Sequence, residues 1–243
     1  MQKKIATIIL SCIMPMNFLF GQTYSNLWKQ VEEAQERDLP QTELQVLKKI
    51  AQKAEKERAY GQLLKASLMQ ARVQTVVSPD SLKPAVERLQ LKVETIKEVP
   101  LQAVYYAVLG RIYKSNTEIS DDWRSISDDY YQKAMAHPAE LAAVKADDYQ
   151  PFVVKGRDSR IYNDDLLSLI GHEINQYRPM HDYYMTTDNR RAQLMSGLYL
   201  LLQDEPDEDS KLSESSYIGR LDSLANAYAD LSECGEVACE RYN

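Results

Sequence analysis

From Thr23 to the end of the chain, apolar residues recur three and four positions apart, and clean alternation is found almost nowhere. That spacing lines one face of a helix of about 3.6 residues per turn, whereas a strand needs a period of about two. It predicts an all-α fold. Helices are expected over 25–37 (Leu27, Val31, Ala34), 41–57 (Leu44, Leu47, Ala51, Ala54) and 60–76 (Leu63, Leu64, Leu68, Ala71). They continue over 81–97 (Leu82, Ala85, Val86, Leu89, Val93, Ile96) and 101–115 (Leu101, Val104, Tyr105, Val108, Leu109, Ile112). Four more follow at 126–136, 163–177, 189–202 and 215–232, and the chain runs out at what reads as the start of another. Pro40, Pro79, Pro84 and Pro100 fall at or near helix starts, where a missing N–H costs little.

Short helices joined by short connections pair as hairpins, and stacked hairpins share their apolar faces. One hairpin carries more detail. Tyr106-x-x-Leu109-Gly110-x-x-Tyr113 has the spacing of the first helix of a tetratricopeptide repeat, with Tyr in place of Trp. Ser127-x-x-x-Tyr131-x-x-Ala134, then Pro138, follows the small, aromatic, small, proline order of the second. Gly110 and Ala134 leave room for close helix contact, and the insert NTEISDDWRSIS lengthens the repeat. The expected architecture is a right-handed array of stacked hairpins, a degenerate tetratricopeptide-like solenoid, with a compact bundle as the alternative. Approximate repeats span 24–58, 60–98 and 101–138, followed by C-terminal helices over 163–243. Sixteen Tyr against three Phe suit such a fold. Tyr fills seams between helices, or lines a groove with its ring packed and its hydroxyl wet.

Residues 1–21 stand apart. MQKK is basic, Ile5 to Phe20 is apolar but interrupted by Pro15 and Asn17, and Gly21 is small. That is the pattern of a secretory signal cleaved after Gly21, leaving a helical domain over 22–243. Ile9-Leu10-Ser11-Cys12 resembles a lipobox, so a membrane-anchored lipoprotein is the alternative to a free periplasmic protein. Loss of Lys3 and Lys4 moves the formal charge from −7 to −9, because the segment holds no acid. A mature chain so acidic, without a basic stripe, is poorly matched to nucleic acid or an anionic membrane, leaving protein partners.

Chemistry-bearing patterns are sparse. His137, His172 and His181 are the three histidines, and His172-Glu173 lacks the second His that would share a zinc-binding helix face. Asp121-Asp122, Asp128-Asp129, Asp147-Asp148 and Asp164-Asp165 are expected to precede or open helices, where carboxylates complement the helix dipole. The acidic run Asp204 to Asp209 lacks the Gly and terminal Glu of a calcium loop and reads as a solvated connection. No cofactor or metal is expected. The sharpest enzymatic alternative is a hydrolase centred on Asp158, Asp164 and His172, and it lacks a nucleophile with a base nearby in sequence. Cys234 and Cys239 would stand about 8.6 Å apart in one continuous helix, beyond disulfide reach. If Gly235 breaks the helix, a bridge becomes feasible, so a disulfide and two thiols both stay open.

The stretch GRDSRIYNDDLLSLIG concentrates charge before an apolar run. Gly156 suits a turn, Asn163 an N-cap, and Asp164 with Asp165 a first helical turn. Capping leaves Arg157, Asp158, Arg160 and Tyr162 unexplained, in a polar connection whose two apolar residues, Ile161 and Tyr162, are placed to pin it against the helices, with Arg160 placed to pair with Asp164.

Several segments together resemble the N-terminal region of large bacterial alpha-2-macroglobulin family proteins. They are the exported start, TYSNLWKQVEEAQERDLPQTELQVLKKI, AVYYAVLGRIY, DDYYQKAM, GRDSRIYNDDLLSLIGHEI and a final helix leading into CGEVACERYN, and the likeness runs over residues 23–243. The resemblance implies a helical domain of a protease trap, in which a bait is cut and some members capture the protease through a Cys-x-Glu-Gln thioester. Cys234-Gly235-Glu236-Val237 departs from that motif at its last position, and Val237 has no carboxamide to be acylated. What is implied is therefore a non-catalytic leading domain, a fragment or truncated member without bait and thioester modules, partnered by the remaining modules of such a chain, with the segment from Arg157 to Tyr162 as its docking or shape-fixing loop. The alternative is an independent periplasmic scaffold holding an extended peptide on a tyrosine-lined face that includes Tyr106 and Tyr131.

Overall fold

The computed structural model describes residues 23–77, 82–156, 158–203 and 214–242. Twelve α-helices account for most of them, and no strand occurs among the described residues. The first half holds α1 (Tyr24–Glu36), α2 (Pro40–Glu57), α3 (Tyr60–Val77), α4 (Leu82–Thr95), α5 (Val99–Ser115) and α6 (Trp123–Ala134). The second holds α7 (Pro138–Ala142), α8 (Leu166–Ile174), α9 (Tyr177–Tyr184), α10 (Arg190–Gln203), α11 (Glu214–Ala227) and α12 (Cys234–Tyr242). Each packs chiefly on its chain neighbours, with the tightest contacts between α2 and α3 and between α5 and α6. Residues 1–21, where the secretory signal is expected, together with Pro79 and the acidic run Asp204 to Asp209, lie outside the described residues.

Local chemistry explains the helix ends. The Thr23 hydroxyl accepts from the Asn26 N–H and caps α1, while Pro40 and Pro100 occupy the first turns of α2 and α5. Arg58 ends α2 in the left-handed region at φ 55°, its N–H returned to the Ala54 and Glu55 carbonyls.

Two apolar clusters divide the interior. Leu27 and Val31 of α1, Val46, Leu47 and Ile50 of α2, and Ala66 and Val73 of α3 form the smaller. The larger runs from Leu64 of α3 to Val237 of α12, so α3 contributes to both. Leu47, Ile50 and Leu64 are fully buried, each stabilising the fold by about 1.5–3 kcal/mol. Helix α5 lies at the centre of the larger cluster, packing on α4, α6, α7 and α8. Its Leu101, Ala103, Val104, Tyr105, Ala107, Leu109, Gly110 and Tyr113 are all buried. Gly110 is required where it stands, because a Cβ there would lie 2.5 Å from the Tyr131 ring, and the Ser127 hydroxyl donates to the Gly110 carbonyl at 2.9 Å.

Several boundaries differ from the sequence expectation. Helix α6 begins at Trp123, which shortens the insert and leaves Asp128-Asp129 within the helix, Asp129 accepting from Lys133 one turn on. Pro138 and Pro179 lie in the first turns of the short helices α7 and α9, which periodicity did not register. Helix α8 begins at Leu166, not 163. Asn163 and Asp164 take φ of 58° and 55°, and it is Asp165 whose side chain accepts from the Ser168 N–H. Those two left-handed residues close the connection after α7 on itself. Ala146 N–H donates to the Asp164 carbonyl and Leu166 N–H to the Val144 carbonyl, both at 2.9 Å. The same connection covers the start of α3, where a Cβ on Gly61 would meet the Gln150 and Tyr149 carbonyl oxygens at 2.1 and 2.2 Å.

Candidate functional site

The residues of the charged stretch separate by environment. Arg157 lies outside the described residues. Asp158 is half-buried beside Tyr162 and His172, and Arg160 is exposed in the short 3-10 turn Ser159–Tyr162. Tyr162 is packed inside, as a shape-fixing side chain would be, and is not presented to a partner. Its ring is fully buried, 5.5 Å from His172 and 5.2 Å from Tyr184, and its hydroxyl has no hydrogen-bond partner among the described residues. Nor does Arg160 hold Asp164 directly. Asp164 accepts from the Ser159 hydroxyl at 2.7 Å and lies 3.6 Å from Lys155 Nζ. The Ser159 hydrogen bond leads in holding its pKa below the usual carboxylate range, and Arg160 adds a smaller attraction.

The three groups of the hydrolase reading have separate duties. His172 sits among Tyr162, Tyr177 and Tyr199, with ring centroids 5.5, 5.3 and 4.6 Å away, and burial lowers its pKa. Asp164 is engaged as described, and Asp158 faces His172 only as a neighbouring charge. The neighbouring Asp165 is also committed to the fold. It caps α8, accepts from the Tyr184 hydroxyl at 2.7 Å, and has its pKa raised by burial. His181 Nδ1 lies 3.0 Å from the Ser196 hydroxyl. No three His, Cys, Asp or Glu residues among those described are grouped to hold a metal ion.

Cys234 and Cys239 lie on the unbroken helix α12, and both thiols are free. Gly235 occupies its first turn without interrupting it, so the helical separation beyond disulfide reach applies.

The tyrosine face is where an open site forms. Tyr131, expected on it, is buried against Gly110 at 4% exposure, and burial raises its pKa. Its neighbour Tyr130 takes the exposed side instead. Tyr130 stacks between Tyr106 and Tyr113, with centroids 5.9 and 6.0 Å away, and Gln90 of α4 donates to the Tyr113 and Tyr130 hydroxyls at 3.1 and 2.8 Å. Lys133 Nζ lies 5.5 Å from the Tyr130 centroid. Beside Tyr106 an open cavity of about 190 Å³ is lined by Val99, Gln102 and Ala103 of α5 and by Lys133, Ala134, Ala136 and His137 at the end of α6. The spacing of Ser127, Tyr131 and Ala134, four and three apart, carries Tyr131 to the packed side of α6. At about 100° per residue, that places Tyr130 off the seam, a signal available in the sequence.

No family model, curated protein or solved structure matches this chain.

Proposed function

We propose that this chain is a non-catalytic, exported helical-repeat domain whose hairpins stack in a right-handed, tetratricopeptide-like array and which works by holding a segment of another polypeptide. Its setting is the one its sequence resembles, the leading helical region of an alpha-2-macroglobulin-like protease trap, and its partner is a module of that protein. The observation that supports a binding role is the open cavity beside Tyr106, continuous with the Tyr106, Tyr130 and Tyr113 stack across α5 and α6. The half-exposed Tyr106 and Tyr130 present rigid apolar area together with a hydrogen-bonding tip, the combination favoured at protein interfaces.

Photo-crosslinking tests this reading. A benzophenone amino acid replaces Tyr106 in one variant and the exposed Glu33 of α1 in another, in cells exporting the protein. Polypeptide adducts specific to position 106 are expected, with the crosslinked peptide mapping to a macroglobulin-like module. Equal adducts at both positions refute a dedicated face. Adducts at 106 that map only to unrelated peptides refute the macroglobulin setting and favour an independent periplasmic scaffold.

A further inference from the structure

We infer that the cavity between α5 and the end of α6 is an anchor pocket for one uncharged apolar side chain of a polypeptide bound in extended form. The inference rests on the protein-binding reading and narrows it to a ligand class.

Size makes the first selection. At about 190 Å³ the cavity is smaller than the roughly 300–1,000 Å³ of sites that enclose small molecules, so a single side chain is the matching object. Charge makes the second. Lys133 Nζ is bound to Asp129 Oδ2 at 2.6 Å, and His137 Nδ1 lies 3.4 Å from Glu140 Oε1. Each basic group on the rim already faces a carboxylate on its own segment. A ligand carboxylate would compete with these local partners for charge already balanced, and a ligand cation would meet Lys133. An uncharged side chain matches the balanced rim and rests on Val99, Ala103 and Ala134, whose small side chains leave the space open.

The rim also carries one acceptor and one donor unused by the fold. The Gln102 amide N–H donates to the Val93 carbonyl at 3.3 Å, which leaves its side-chain oxygen available. The Tyr106 hydroxyl makes no hydrogen bond among the described residues. Gln102 and Tyr106 are four apart on α5, so they share a face one turn from each other. Every residue of an extended peptide offers one N–H and one C=O. Acceptor and donor on the rim meet that pair without reading sequence, while the pocket reads the one side chain between them.

The test uses labelled octapeptides of alternating Ser and Thr with Leu, Phe, Ser, Glu or Lys at a central position. Each is titrated into the full chain and followed by amide NMR of α5 and α6. The Leu or Phe peptide is expected to bind about tenfold more tightly than the Ser peptide and to shift signals around Gln102, Lys133 and Ala136. Glu and Lys peptides should match Ser. Ala136 is exposed, so Ala136→Trp fills the pocket mouth without a folding penalty and should bring the Leu-to-Ser ratio to about one. Tyr106→Phe keeps the ring and should weaken every peptide a few-fold.

Equal affinity for all five peptides, a preference for Glu or Lys, or a Leu preference that survives in Ala136→Trp overturns the anchor pocket. Absence of binding by every peptide overturns it too. If the position-106 crosslink persists in that case, the protein-binding reading stands while the anchor falls, and loss of both removes both.

Discussion

Three glycines on three helices provide a graded test of the packing. Gly to Ala inside a helix ordinarily stabilises by about 1 kcal/mol, because Ala has less backbone entropy to lose. At Gly219 of α11 nothing lies within 4 Å of an added Cβ, so Gly219→Ala should show that gain undiminished. At Gly110 the added methyl would sit 2.5 Å from the ring of the buried Tyr131, with the Ser127 carbonyl at 3.1 Å. Overpacking of this kind costs about 1–3 kcal/mol, so the net change should be a loss of up to about 2 kcal/mol. At Gly61 the obstacle is backbone, the Gln150 and Tyr149 carbonyl oxygens at 2.1 and 2.2 Å, which no rotamer change relieves. There the whole connection after α7 must lift from α3, and the expected net loss is about 3 kcal/mol or more. For a chain of this size about 1 kcal/mol moves Tm by about 2–4 °C. Calorimetry should therefore rank Gly219→Ala above wild type, wild type above Gly110→Ala, and Gly110→Ala above Gly61→Ala. Limited proteolysis should also open residues 150–156 in Gly61→Ala alone. If Gly61→Ala and Gly219→Ala behaved alike, the contact between that connection and α3 would be refuted.

Other consequences follow from buried polar groups. Tyr162→Phe removes a hydroxyl without a partner among the described residues, so urea unfolding should show unchanged stability or a gain of about 1 kcal/mol; a loss of that size would reveal a partner for the hydroxyl. Asp165→Ala removes a helix cap and strands the Tyr184 hydroxyl, with an expected loss of about 2–4 kcal/mol in the same assay. Burial holds His172 and His181 below the usual histidine pKa of about 6.5, so the unfolded chain binds more protons in mild acid. Stability from these groups is complete above about pH 6.5 and is lost as pH falls below it, and urea midpoints should show a shallower fall in His172→Gln. Asp165, raised by burial, acts with the opposite sign: its contribution favours the native state in acid and declines as pH rises through its native pKa. Thiol titration should label exposed Cys239 faster than half-buried Cys234, whose thiol lies 3.4 Å from the Ala225 carbonyl. A crosslinked Cys234–Cys239 peptide in a non-reducing digest would contradict the continuous α12.

Long amphipathic segments were legible in the sequence because packing repeats over several turns. Leu27, Val31 and Ala34 of α1 and Val86, Leu89 and Val93 of α4 are buried where their spacing places them. Helices α7 and α9 were not, since five and eight residues supply too few turns for a period to register. Their prolines, Pro138 and Pro179, suit the end of one helix and the first turn of the next equally well, so they do not reveal a new helix. The start of α8 was ambiguous for another reason. Asn163, Asp164 and Asp165 are all competent caps. The choice among them depends on contacts with Val144 and Ala146, about twenty positions earlier in the chain, which local propensity does not contain.

The candidate site shows the same division within two adjacent residues. Composition alone presents Tyr130 and Tyr131 as equivalent, yet one lines the open face and the other is 4% exposed. The register of α6 separates them. Ser127, Tyr131 and Ala134 are spaced four and three apart and share a stripe that packs on Gly110, so Tyr130 is rotated out of it. Once Tyr130 is outside, its ring reaches Tyr106 and Tyr113, and Gln90 can bind two hydroxyls at once. The cavity beside that stack is lined by the alanines at 103, 134 and 136, which no motif marked as functional. Small residues fit both a close helix contact and the floor of a pocket, and only the position of the next helix decides between these uses. Ala134 serves both: at 1% exposure it belongs to the seam, and it also lines the cavity. A larger residue there would therefore alter hairpin packing and side-chain capture together, whereas a change at exposed Ala136 acts on capture alone.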